Sequence, residues 1–207
     1  MLGAVLGFVA ASTLVVLLPG PDTLVVVRNL VRGGRRQAVR TVLGVLTGLA
    51  LWMLAAVVGL AAVLRASQTG YDALKIAGAC YLLWLAYESL RGRSAPQVAG
   101  PDDAPVRRGL LGAGYGAGLA TNLLNPKVGV FFIAFLPGFV PHGSDVPLTS
   151  LLFGSIFVAE GMLYFAILIT LADRVVGWMT RPSTRRWLDR LAGLVFVGFA
   201  ARLATDT

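Results

Sequence analysis

Six apolar stretches divide the chain, at about 2–27, 41–64, 74–90, 109–136, 148–171 and 188–204, the last being the shortest. Most are near the roughly 20 residues a helix needs to cross a hydrocarbon layer of about 30 Å. The pattern predicts an all-α, polytopic membrane protein with six transmembrane helices. The polar segments between them are short, apart from residues 91–108, which are punctuated by Pro96, Gly100, Pro101 and Pro105 and read as a linker. No basic region precedes Leu2, and the first apolar run reaches Val27, longer than the core of a secretory signal. That run is therefore expected to be retained as the first span.

Two of the six runs carry polar interruptions. The fourth contains Asn122-Leu-Leu-Asn125-Pro126-Lys127 and the first contains Pro19-Gly20-Pro21-Asp22. A Lys near the bilayer centre costs roughly 2.5–3.5 kcal/mol on insertion scales, and such residues mark substrate or ion pathways by default. Asn125 before Pro126 is a helix start signal, a capping side chain followed by proline at the first helical position. Gly20-Pro21-Asp22 repeats it, with an acid in the positively poled first turn. The expectation is two broken helices, the fourth ending near Leu124 and restarting at Pro126.

The linker separates residues 1–90 from residues 109–207. Three spans in each half would make the halves run in opposite directions through the membrane. Laying residue n on n+105 places Pro21 on Pro126, Gly20 on Asn125 and Asp22 on Lys127. Interrupted helices at matching places in inverted halves point to a transporter's binding site. The restarted helices would then direct their N-termini toward each other, an arrangement suited to a carboxylate. Two proline kinks that merely shape packing are the alternative. The recurrence, with a charge beside each, favours a site.

Composition agrees with this reading and narrows it. Mean hydropathy is +0.77, with 57% hydrophobic and 14% charged residues, which fits a membrane protein and leaves the 207 residues no room for a soluble domain. We expect a single transmembrane domain over 1–207. The net charge of +8 would suit a nucleic-acid partner, but Lys and Arg number 5, 2, 4, 0 and 5 in successive loops. That alternation is the positive-inside pattern, with the first, third and fifth loops cytoplasmic and both termini outside. No nucleic-acid partner is expected. The single Cys80 excludes an internal disulfide, and the single His142 in an outer loop speaks against a histidine triad or a multi-histidine metal site. The stretch Gly112-Ala-Gly114-Tyr-Gly116-Ala117 fits a loose nucleotide fingerprint but follows no strand, so small-residue helix packing explains it. Neither an enzyme, a metal nor a cofactor is indicated.

The chemistry-bearing candidates are Pro19, Gly20, Pro21, Asp22, Asn122, Asn125, Pro126, Lys127, Glu160 and Tyr164. Asp22 and Lys127 are opposite charges at pseudo-equivalent positions, either a static buried pair or a gate broken and remade during transport. Glu160 stands mid-helix in the fifth span with no cation nearby in sequence. Desolvation favours the neutral form of a carboxyl, so its expected roles are proton carrier or ligand for an ammonium group, against a plain hydrogen bond to a neighbouring helix. Tyr81, Tyr115, Asn122 and Tyr164 are candidates to line a cavity, with ordinary packing the alternative for each.

These motifs resemble the LysE/RhtB family of amino-acid exporters over nearly the whole chain. The resemblance rests on Pro19-Gly-Pro-Asp22, Arg32-Gly-Gly-Arg-Arg36 and Lys75-Ile-Ala-Gly-Ala-Cys-Tyr-Leu82. It also rests on Thr121-Asn-Leu-Leu-Asn-Pro-Lys127 with Phe131-Phe132 and Phe135-Leu-Pro137, and on Arg190-Leu-Ala-Gly193. It implies proton-driven export of amino acids or close derivatives by a multi-pass protein of the cytoplasmic (inner) membrane. Its partners would be an amino acid, protons and the lipid bilayer, with room for a homo-oligomer. Glu160 stands where the family often has Asp, and Ala86 where Gly is usual. The energetics allow the coupling: one charge moved through 100 mV supplies about 2.3 kcal/mol, and a tenfold gradient costs about 1.4 kcal/mol. A passive channel or facilitator for a small polar solute is the rival reading, and uphill efflux separates the two.

Overall fold

A computed structural model describes residues 1–66, 112–141 and 143–171, with individual positions between 69 and 87 and between 183 and 201. The described residues are helical or connecting, with no strand among them. Helix α1 is Leu2–Leu17, α2 is Pro21–Ala66, α3 is Gly112–Leu123, α4 is Pro126–Val130 and α5 is Val146–Thr170. The described positions between 69 and 87 and between 183 and 201 are helical too. The linker and the bounds expected for the third and sixth spans lie outside the described residues, as does His142.

Both expected breaks are present. α1 stops at Leu17 and α2 starts at Pro21; α3 stops at Leu123, one residue before the expected end, and α4 starts at Pro126. Alone, the 16 residues of α1 reach only about 24 Å, short of a hydrocarbon core of about 30 Å. Among the described residues, two helical segments, Pro21–Gly59 and Val146–Thr170, are long and apolar enough to cross a membrane. The pair Gly114–Leu123 and Pro126–Phe139, bent by 50°, makes a third if counted as one span.

The basic segment after Val27 differs from expectation. It is not a loop: Arg28, Arg32, Arg35, Arg36 and Arg40 all lie in α2, which is interrupted only at Gly34 (φ 69°, ψ −174°). Arginine is a good helix former, so the run of charge does not unwind the segment. Gly34 occupies a backbone region essentially reserved for glycine and divides α2 into arms 21–33 and 35–66. A hydrogen bond from Asn29 Nδ2 to Thr41 Oγ1 (2.8 Å) ties one arm to the other.

The fourth span departs from a plain helix as well. After Val130 the chain widens into a π-helical turn, Phe131–Phe135, and tightens into a 3₁₀ turn, Leu136–Phe139. Pro137 has no N–H to continue an α ladder, and the Leu136 N–H reaches back to the Phe131 carbonyl. The widened turn carries the aromatic core: Phe131 stacks on Phe157 of α5 (3.9 Å between centroids), and Phe8 of α1 stacks on Phe153 (4.5 Å). α5 begins two residues earlier than expected, because the Asp145 side chain caps it by accepting from Leu148 N (2.8 Å).

α2 and α3 lie backbone to backbone. A Cβ on Gly44 would fall on the Tyr115 carbonyl, one on Gly118 on the Thr41 carbonyl, and one on Gly48 on the Asn122 side chain. Gly44, Gly48, Gly114 and Gly118 therefore serve close helix approach.

Candidate functional site

The two breaks meet, and side chains of the second hold groups of the first. At the end of α1, orphan carbonyls remain that no intrahelical N–H can reach. The Lys127 ammonium donates to two of them, Val15 O (3.0 Å) and Leu18 O (2.8 Å). A cation at a helix C-terminus is also favoured by the backbone dipoles. Gly20 lies beside this ammonium, and a Cβ there would stand 3.5 Å from Lys127 Nζ.

The second break caps itself. Asn125 Oδ1 accepts from the backbone N–H of Lys127 (3.1 Å), and the Asn125 carbonyl accepts from Val128 and Gly129 (both 3.1 Å). Pro126 sits at the first helical position, where its missing N–H is no loss. The amide of Asn125 is then free to donate through Nδ2 to Asp22 Oδ2 (2.9 Å), and Asn122 Nδ2 donates to the same oxygen (2.9 Å). Asn122 is held in turn against Gly48, with Trp52 Nε1 donating to its carbonyl (3.4 Å).

Asp22 and Lys127 are therefore not the static pair that was one of the two expected arrangements. Oδ2 of Asp22 is held by the two amides, its Oδ1 has no hydrogen-bond partner, and the ammonium is turned to main-chain carbonyls. Asp22 is only 9% exposed. A carboxylate buried this far requires donors, and the amides provide them on one side only.

Between the breaks lies a cavity of about 40 Å³, lined by Asp22, Thr23, Asn125, Lys127, Phe157 and Tyr164 among others. It has room for about three or four waters at roughly 10–15 Å³ of such volume each. Tyr164 Oη and Thr23 Oγ1, 3.3 Å apart, share a hydrogen bond at its α5 wall. Pro19 and Gly20, half-buried, form the first break itself, and Pro21 opens α2.

Glu160 is not brought into this cluster. It lies where α5 faces α1, accepting from Thr13 Oγ1 (3.0 Å) through Oε1, while the buried Oε2 has no partner. Tyr115 is also elsewhere, donating to Thr47 Oγ1 (3.1 Å) between α3 and α2. Tyr81 lies outside the described residues. Sequence reasoning overlooked Thr13 and Thr23, although a hydroxyl within an apolar run was a visible signal. It had no means of finding the carbonyls of Val15 and Leu18, which any residue type carries.

The profile of a family described as LysE type translocator matches residues 13–207. Among similar proteins is an uncharacterized membrane protein of Pseudomonas aeruginosa, 33% identical over 97% of this chain and 94% of its own length. A threonine efflux protein of Escherichia coli is 30% identical over 89% of each chain. A leucine efflux protein of Klebsiella pneumoniae is 28% identical over 97% of this chain and 94% of its own. No solved structure matches.

Proposed function

The chain belongs to the LysE type translocator family, a family of membrane transporters rather than enzymes, and from that premise we propose that it exports amino acids across the cytoplasmic membrane by exchange for protons. The observation that carries the reading is the mutual bracing of two helix breaks around Asp22 and Lys127. Breaks of this kind form transporter binding sites, where half-helix ends face the solute. The names of the threonine and leucine efflux relatives support an amino acid as the cargo.

Six spans arranged as two inverted three-helix halves remain the architecture that best accounts for the pseudo-equivalent breaks. Pro19, Gly20, Pro21, Asp22, Asn122, Asn125, Pro126, Lys127 and Tyr164 then border the substrate pathway. A cavity of about 40 Å³ is far below the roughly 300 Å³ of an ordinary ligand pocket. The elements around it must part to admit a solute, which favours a carrier over an open channel.

Glu160 is assigned the proton. Its Oε2 is buried without a partner, and its Oε1 accepts from the neutral Thr13 hydroxyl. A proton on Oε2 would remove a buried negative charge that no hydrogen bond to that oxygen offsets. The test uses purified protein in proteoliposomes with an imposed proton gradient and a panel of labelled amino acids. Wild-type protein should accumulate one or more of them uphill, and an uncoupler should abolish this. Glu160→Gln should keep exchange down a gradient and lose uphill movement, while Glu160→Asp stays active. Uphill movement by Glu160→Gln at the wild-type rate removes Glu160 from the proton path.

A further inference from the structure

The cavity between the breaks presents one bare acceptor and one spare cationic donor. Asp22 Oδ1 is buried and unpartnered although its sister oxygen accepts two hydrogen bonds. An ammonium carries three N–H groups, and Lys127 spends two on Val15 and Leu18. The third meets no protein acceptor among the described residues. Both side chains line the same small cavity.

The geometry points to this cavity as a head-group subsite that takes the α-ammonium of an amino acid on Asp22 Oδ1 and its carboxylate on the third N–H of Lys127. The inference rests on the proposed function and deepens it, by saying which part of the cargo is recognised and by which atoms. The two opposite charges are kept from neutralising each other: Asn122 and Asn125 hold the carboxylate from one side, and the end of α1 holds the ammonium from another. A directly paired Asp and Lys would offer a zwitterion nothing. Two charges each half-satisfied by neutral groups offer one partner apiece, and leave one buried oxygen without a donor. The rest of the cargo would lie toward Phe157 and Tyr164, where α5 must withdraw to make room. Recognition would thus read what amino acids share and leave the side chain to the aromatic wall.

The experiment measures inhibition of amino-acid counterflow in proteoliposomes. The probes are L-leucine and L-threonine, each with its deaminated α-hydroxy acid and its decarboxylated amine. In wild-type protein both analogues should inhibit at least tenfold more weakly than the parent. Asp22→Asn should weaken the amino acid at least tenfold and leave the α-hydroxy acid unchanged. Lys127→Gln should weaken the amino acid and leave the amine unchanged. A merely structural role would weaken all three members of each series together, and that result, or an α-hydroxy acid as potent as its parent in wild-type protein, overturns the inference. If either variant fails to fold, as judged by size-exclusion chromatography, the wild-type probe series still decides. Failure of wild-type protein to exchange any amino acid overturns the proposed function itself, a different outcome from exchange without head-group discrimination.

Discussion

The two helix breaks look alike in sequence and differ in how they are stabilised. The break at Leu18-Pro19-Gly20 has no side chain of its own to close it, and the carbonyls at the end of α1 are met by Lys127 from the other half of the chain. The break at Leu124-Asn125 closes itself through the Asn125 cap and keeps an amide to spare for Asp22. One break is dependent and the other self-sufficient. The lesson is that pseudo-equivalent positions, here Asp22 and Lys127, need not be partners: each is bound to the other break's backbone or amides instead.

The largest effect should come from Lys127→Met, which deprives the dependent break of its donor. Two acceptors would lose their partner at about 1–3 kcal/mol each. Export should be abolished, and thermal unfolding in detergent should shift several degrees lower. An unchanged midpoint would show that the break at Pro19 stands alone. Exchanging the charges, Asp22→Lys with Lys127→Asp, should not restore export. The new ammonium would face two N–H donors and the new carboxylate two carbonyls.

Gly48→Ala comes next, since the added methyl would occupy the place of the Asn122 side chain. Overpacking of this kind costs about 1–3 kcal/mol, and transport should fall because Asn122 can no longer hold Asp22. Gly116→Ala, in a neighbouring stretch with nothing within 4 Å of the added atom, should be silent in both assays. Equal effects of the two would mean that helix approach, not Asn122, is what Gly48 protects.

The smallest change in stability is expected at the self-sufficient break. Asn125→Ala loses a cap at about 0.5–2 kcal/mol, whereas Asn125→Ser keeps a capping oxygen. Both lose the N–H to Asp22. The Ser variant should therefore unfold near the wild-type temperature and yet transport poorly. If it transports normally, the amide on Asp22 is dispensable.

How much of this was legible follows from where the information lies. The breaks were readable because proline at the first helical position and an Asn cap are residue-type signals, and Pro21 and Pro126 stand where they were expected. The partner of Lys127 was not, because a main-chain carbonyl has no letter in the sequence. The basic segment was misjudged as a loop because a run of charge says nothing of backbone conformation; only Gly34 bends it. The π-helical turn at Phe131–Phe135 followed from Pro137, whose effect on the turn before it was not drawn from the sequence. Glu160 was grouped with the other charges by its chemistry, while its place on α5 turns it toward Thr13.

Gly34 has a mechanical consequence. Because the basic segment stays helical up to the bend, the arm that carries Asp22 and the arm that packs on α3 are joined through a single residue, with one pair of dihedrals between them and the Asn29–Thr41 hydrogen bond across the joint. Any tilt falls on the Gly34 dihedrals and on that hydrogen bond. When the shorter arm swings, the longer one must swing with it or the latch must open, and through Gly44, Gly48 and Gly118 that torque is delivered to the helix bearing Asn122. The elbow turns a local movement at the first break into a load on the second.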